Sequence, residues 1–277
     1  MQRRIFTEDH ESFRKTIRDF IAKEVAPVYH DWEKQGHPPR EFYNRLGELG
    51  VLGIEAPEEF GGGGVSDFTY SMVIAEETSA AGVTFGSYSV HSNLILPYLV
   101  EYATDEQKQR WLPGFCSGEL MFAIAMTEPG TGSDLANIST TAKLSEDGSH
   151  YVLDGAKTFI TGGALADRIL VVARTAPFDE SNRRAGLSIL VVDTSSEGFA
   201  VGRKIEKIGL KASDTAELSF SSVKVPVEDR LGEEGAGFSY LAHNLAQERL
   251  TIAIGASATA AAAVQHAIAY TKERDVF

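Results

Sequence analysis

One carboxylate in this sequence is spaced as a proton-abstracting base would be. Glu248 shares a helical face with Leu241, Leu245, Ile252 and Gly255, at offsets of −7, −3, +4 and +7, so the spacing points its side chain toward packed apolar surface. A carboxyl desolvated in this way has a raised pKa and can accept a proton from carbon. The same spacing also describes a buried structural Glu paired with an Arg, and that bland reading is the commoner one for a lone carboxylate on a helix. Arg249, next to it, can meet an anionic ligand or a surface acid.

A second stretch has a different chemistry. Residues 124–134 run from an apolar strand, Ile124-Ala125-Met126-Thr127, into Glu128-Pro129-Gly130-Thr131-Gly132-Ser133-Asp134. Two glycines and a proline bend the backbone and leave main-chain N–H groups free for a ligand. A dinucleotide fingerprint would need a third Gly or Ala three residues after Gly132. Leu135 holds that place and strand residues follow, so a Rossmann NAD site is excluded. There is no P-loop Gly-Lys-Ser/Thr, and the histidines are scattered without metal-ligand spacing, so no metal site is expected. Cys116 is the only cysteine; it excludes an intrachain disulfide and reads as inert packing rather than a nucleophile.

The elements that must hold these residues follow from the texture of the chain. At 277 residues, 43% apolar and 23% charged, it has the composition of one or two globular domains. A net charge of −13 argues against a nucleic-acid surface. The first residues lack the apolar run of a secretory signal, no transit peptide is visible, and the apolar stretch 252–264 is too short to span a bilayer, so the expectation is a cytoplasmic protein of bacterial type without a membrane partner.

Residues 1–120 carry helical spacing: Phe13, Ile17, Phe20, Ile21 and Val25 before Pro27; Phe42, Leu46 and Leu49 before Gly50; Met72 and Ala75 facing inward; a helix near 94–102; and a Thr104–Gln107 capping box ahead of Trp111. Residues 121–232 hold short β-rich runs at 122–127, 140–144, 151–154, 158–161, 169–174, 187–192 and 217–220, which predicts a small antiparallel barrel or sandwich. Residues 233–277 return to helix, roughly 60 Å of it if continuous at about 1.5 Å per residue. Its alanine-rich middle, 255–263, invites close approach by another helix. The expected fold class is therefore α+β: an N-terminal all-α domain, a middle antiparallel β-domain, and one long helix.

Several motifs together resemble the acyl-CoA dehydrogenase family. They are Ala125-Met126-Thr127-Glu128-Pro129 through Gly132-Ser133-Asp134, Lys157-Thr158-Phe159-Ile160-Thr161-Gly162, Lys207-Ile208-Gly209-Leu210-Lys211 with Asp214-Thr215, Leu231-Gly232-Glu233, and Tyr270 through Phe277. The resemblance covers the chain in order. It implies FAD held between the middle domain and a C-terminal four-helix bundle, of which this chain would hold the first helix.

By family pattern, Ile124, Ala125, Met126 and Thr127 with Phe159, Ile160 and Thr161 lie along the isoalloxazine ring. Gly132 and Ser133 meet the flavin phosphates or the pantetheine arm, and Arg274 and Phe277 reach the FAD of a neighbouring subunit. Gln247-Glu248-Arg249-Leu250 is similar to the subgroup of isovaleryl- and long-chain type, in which the base is a Glu directly before an Arg on this helix. That makes Glu248 the implied base, with Gln247, Arg249 and Ser133 toward substrate. The implied activity is α,β-dehydrogenation of an acyl-CoA to the trans-2-enoyl-CoA, with electrons passing to an electron-transfer flavoprotein, in a homo- or hetero-oligomer (a dimer of dimers).

Thr131 stands where the family has Ala or Gly, and Asn137 where it has a small residue. The rest of the bundle normally supplies a backbone N–H to the thioester carbonyl, and losing one such donor costs roughly 10²–10³ in rate. The alternatives are thus a non-catalytic partner subunit or inactive remnant, and a flavin oxidase of the same fold.

Overall fold

The computed structural model describes residues 5–276, so Phe277, given a flavin contact above, lies outside the described residues. Among those residues the chain forms seven α-helices and eight strands, with all but the last helix preceding the strands. α1 (Glu8–Phe20) starts at Thr7, which exchanges hydrogen bonds with His10 in a capping box. A π-type turn (Ile21–Val25) continues it with Ile21 and Val25 buried, as the spacing predicts. α2 (Tyr29–Gln35) is an addition to the expected elements; its Trp32 ring lies 4.7 Å from Phe42 on α3 (Arg40–Glu48).

In α4 (Thr69–Ala81) Met72 and Ala75 are only half-buried, and Val73, Ile74 and Glu77 are the ones turned in. The reason is that α4 is covered from two sides, by α1 and by the last helix, and Glu77 is neutralised by Arg14 and Arg18 at 3.0 and 2.8 Å. A second π-type turn (Ser89–Ile95) leads into α5 (Leu96–Tyr102), and α6 (Asp105–Ser117) begins at the expected Thr104–Gln107 capping box.

The strands are β1 (Phe122–Ala125), β2 (Thr141–Leu144), β3 (His150–Thr161), β4 (Arg168–Arg174), β5 (Leu187–Asp193), β6 (Phe199–Lys204), β7 (Thr215–Pro226) and β8 (Arg230–Leu231). They form one sheet in the order β6-β7-β3-β2-β4-β5-β8, with β1 paired to β4 off this path. Pairing is antiparallel except for β1 with β4 and the single β2–β4 residue pair, which are parallel. The expected strands 151–154 and 158–161 are one strand, β3, whose register against β7 shifts after Leu153 and again after Lys157. β6 escaped the periodicity because only Phe199 is partly covered and the rest of the strand is exposed.

β4 explains how helices and sheet share a core. Successive side chains of a strand point to opposite faces: Leu170 and Val172 pack against α5, α6 and the last helix, while Ile169, Val171 and Ala173 face Tyr151, Leu190, Leu218 and Val223 inside the curled sheet. A strand covered on both faces reads as a continuous apolar run.

α7 (Gly237–Glu273) is one helix of 37 residues, about 55 Å long at about 1.5 Å per residue. Its buried stripe is Gly237, Leu241, Asn244, Thr251 and Ala258, whereas Leu245 and Ile252, expected on that stripe, are exposed. Residues at −3 and −4, or +3 and +4, flank Glu248 on either side; the structure packs the 244 and 251 side against the π-type turn 89–95 and α4. The apolar stretch is also longer than 252–264: by length and composition α7 could cross a membrane, with a mean hydropathy of 1.4 over its most apolar window. Here it lies along the helical layer, with Ser79 and Thr259 hydroxyls 3.3 Å apart.

Candidate functional site

The strand end at residues 124–134 is tied to β3 by a buried ion pair. Lys157 Nζ donates to the Met126 carbonyl and to Glu128 Oε1, both at 2.9 Å. Glu128 also accepts from Ser139 N–H at 2.8 Å, from the Ser139 hydroxyl at 2.6 Å and from Thr140 N–H at 2.9 Å. Burial pushes the Glu128 carboxyl up, but the Lys157 charge and these donors outweigh it and hold the group well below the usual carboxylate range. The Thr158 N–H donates to the Thr127 carbonyl at 2.9 Å, so the two flavin motifs of the resemblance are neighbours in space.

The implied flavin residues fall into two groups. The side chains of Ile124, Ala125 and Ile160 are buried in the protein core, so their contribution to a ligand is restricted to the main chain. Met126, Thr127 and Thr161 are half-buried, and Gly132, Ser133 and Phe159 are exposed. Phe159 combines 64% exposure with a φ of 60°. A bulky L-residue in that region costs on the order of 1–3 kcal/mol and persists only where its surroundings impose it.

Gly162, at φ 76°, closes the following turn so tightly that a Cβ there would meet Ser87 Cβ at 3.1 Å. A Cβ at Gly132, by contrast, would find no atom closer than 3.8 Å. An aromatic ring held outward on a strained backbone, half-covered hydroxyls at Thr127 and Thr161, and an open glycine turn fit a flat aromatic cofactor with a phosphate tail. FAD is such a group.

Glu248 stands on the other side of the π-type turn 89–95. Its Oε1 accepts from the Tyr98 hydroxyl at 3.0 Å, and burial raises its pKa above the ordinary carboxylate value while that hydrogen bond opposes the rise. Gln247 Nε2 donates to the Asn93 carbonyl at 3.1 Å, and Asn93 Oδ1 accepts from Ser71 at 2.9 Å. Arg249 is exposed. Two residues before Asn93, His91 is fully buried: its Nε2 lies 3.2 Å from the Phe115 carbonyl, and its Nδ1 accepts from the Phe122 N–H at 3.1 Å. Burial pushes its pKa down to about 3, so the ring is neutral, with the proton on Nε2. One turn of backbone thus holds β1 through His91 and α7 through Asn93.

Arg274 is not brought into this cluster. It ends α7, 26 residues beyond Glu248 or about 39 Å along the helix, and its Nη1 donates to Tyr270 Oη at 2.8 Å. Sequence reasoning missed Tyr98, Asn93, Asn244 and His91. Only Asn244 left a signal, as a polar residue one turn from Glu248; the others lie about 150 residues away, with nothing in the local spacing to join them to it.

Comparison with known proteins supports the same assignment. The chain matches the family models for the N-terminal domain of acyl-CoA dehydrogenase over residues 7–119, the middle domain over 123–223 and the C-terminal domain over 235–277. It is 42% identical to the mitochondrial long-chain specific acyl-CoA dehydrogenase of Sus scrofa, over 99% of this chain and 63% of that protein, and so spans less than two thirds of that relative's length. Among solved structures it is similar to an acyl-CoA dehydrogenase from Geobacillus kaustophilus, with 47% identity and a TM-score of 0.94 over 100% of this chain and 72% of that one. It is also similar to an acyl-CoA dehydrogenase complexed with FAD from Bacillus anthracis, with 33% identity and a TM-score of 0.88 over 100% of this chain and 47% of that one. With three consecutive family models matched and the helix, sheet, helix order shared, the chain belongs to the acyl-CoA dehydrogenase family.

Proposed function

We propose that this chain carries the flavin-binding and base-bearing part of an FAD-dependent acyl-CoA dehydrogenase that converts an acyl-CoA thioester to its trans-2-enoyl-CoA. The observation that carries the reading is the Glu248 carboxyl, raised in pKa by burial and met by a neutral hydroxyl rather than a cation. A carboxylate in that state has the proton affinity to take an α-proton made acidic by a thioester, whereas one neutralised by Arg would not.

FAD would be held by the main chain of residues 124–127, by Phe159 and Thr161, and by the open turn at Gly132 and Ser133, with Arg274 and Phe277 serving a neighbouring subunit. When bound, it supplies the acceptor for the β-hydride. Gln247, anchored on Asn93, fixes the helix face that carries Glu248; Ser133 and Arg249 would meet the CoA portion. An electron-transfer flavoprotein as electron acceptor and an oligomer that completes the flavin site belong to the same reading.

The test is direct. Purified protein should show the visible flavin band, and an acyl-CoA added without oxygen should bleach it. Glu248→Gln should keep the flavin and abolish bleaching; a well-folded preparation that takes up no flavin overturns the proposal. A second reading, a flavin-binding partner subunit without turnover of its own, is favoured by the exposure of Leu245, Ile252, Val264 and Ile268 along α7. It predicts flavin retention without bleaching until a related chain is co-expressed. Peroxide formed in air during turnover would instead indicate an oxidase.

A further inference from the structure

We infer that Tyr98 is a positioning residue for the Glu248 base, fixing one carboxylate oxygen so that the other is left for the substrate proton; this rests on the reading of Glu248 as base. Tyr98 is fully buried in the helical layer, with its ring centroid 6.2 Å from that of Tyr102, and its hydroxyl crosses to α7 to reach Glu248 Oε1 at 3.0 Å. Glu248 Oε2 accepts no hydrogen bond from the described residues.

The two oxygens of the carboxylate are therefore inequivalent. A carboxylate on a flexible side chain would otherwise rotate between several poses, and proton transfer from carbon requires one. Tyr98 suits this task because it cannot exchange roles with the base. Burial, followed by the nearby Glu248 charge, lifts the phenol well above its ordinary range, so it remains a neutral donor wherever the protein is folded. A Lys or Arg in its place would hold the carboxylate more strongly but would remove its proton affinity.

Asn244, one turn back on α7 and also buried, opposes part of the rise in the Tyr98 phenol, while its Nδ2 has no hydrogen-bond partner among the described residues. No charged side chain among the described residues acts on Glu248; burial and Tyr98 are the two influences on it. Tyr98 thus tempers the basicity that burial gives Glu248 as well as fixing its pose.

The experiment is a pair of substitutions at one atom, made in the flavin-loaded protein. Tyr98→Phe keeps the ring and removes the donor; 3-fluorotyrosine at position 98 keeps the shape and strengthens the donor. The Glu248 carboxyl is followed by infrared titration, its band identified by disappearance in Glu248→Gln. A hydrogen bond to a charged group is worth about tenfold or more in proton affinity. Tyr98→Phe should therefore raise the titration midpoint by about one pH unit and the fluorinated residue should lower it.

In substrate bleaching, the acid limb of the rate should move in the same directions, and the maximal rate of Tyr98→Phe should fall about tenfold with half-saturation by acyl-CoA unchanged. A carboxyl midpoint unmoved by both changes overturns the inference even if turnover falls. If Glu248→Gln still bleaches, the base assignment fails first, and the inference falls with it whatever the infrared result.

Discussion

The strand end at residues 124–134 and the Glu248 carboxyl, joined in one reaction by the proposed function, are held by opposite means. The first is locked by charge. Lys157 and Glu128 are both buried, and donors from Ser139 and Thr140 complete the carboxylate. The second is held by neutral hydrogen bonds from Tyr98 and to Asn93, on a helix whose neighbouring Leu245 and Leu250 are exposed. A surface that must present main-chain groups to a cofactor gains from rigidity. A base that must change protonation state in each turnover needs surroundings without a fixed counter-charge.

The comparison breaks most visibly at Glu248. Glu248→Gln should lower the rate of substrate-driven bleaching by about 10²–10⁴-fold, the usual contribution of a positioned base. Thermal stability should be unchanged or slightly higher, because a carboxyl with a raised pKa is costly to hold ionised. Stopped-flow absorbance and calorimetry on the same preparation check both halves. A large loss of stability would show that Glu248 is a structural group and erase the contrast.

Lys157→Met should do the reverse. Removing the cation leaves Glu128 buried without its counter-charge, which costs about 3–5 kcal/mol of stability. Adding Glu128→Gln should restore part of that loss, and denaturant unfolding of the two variants measures the recovery. If Lys157→Met unfolds like the parent, the strand end is held by its backbone hydrogen bonds and the ion pair is incidental.

How far the sequence revealed this contrast depends on the range over which each contact is encoded. Local signals survived: Thr104 and Gln107 form their capping box, Phe42 and Leu46 face inward, and the short apolar runs are strands. Periodicity misled on α7, where the flank of Glu248 bearing Leu245 and Ile252 is the more apolar, yet the flank bearing Asn244 and Thr251 is the buried one because the other helices pack there. The register shifts in β3 escaped for another reason. Nothing in Lys157-Thr158-Phe159 indicates that a phenylalanine takes a left-handed backbone; the surrounding sheet imposes it. Tyr98 and His91 were invisible because their partners lie far away in sequence.

His91 sharpens the comparison in a third way, since it ties the helical layer to β1 as a neutral group. Its folded pKa of about 3 lies below the ordinary 6.5. For a group depressed on folding, the stability it contributes is fully present above 6.5 and lost as pH falls toward 3. The expected loss is about 1.4 kcal/mol per pH unit across that window, one proton taken up per molecule unfolded. Unfolding free energies measured from pH 7 to 4 should show this slope, and His91→Gln, less stable at neutral pH, should show a shallower one. An unchanged slope would transfer the acid sensitivity to the carboxylates.

The smallest expected effect is on α7 itself. Ile252 is 69% exposed, one turn beyond Glu248, and substitution of a residue so little covered by the described residues should stay within about 0.5 kcal/mol. Ile252→Ser is therefore the control for Glu248→Gln, on the same helix and without the chemistry. The outcome also reports on what covers that side in solution. If Ile252→Ser costs well over about 1 kcal/mol at high protein concentration, and the difference from the parent shrinks on dilution, then a second copy of the chain lies against α7 beside Glu248. If the loss is small at every concentration, the hydrogen bonds from Tyr98 and to Asn93 suffice to hold the base side, and the difference in rigidity between the two halves of the site belongs to the single chain.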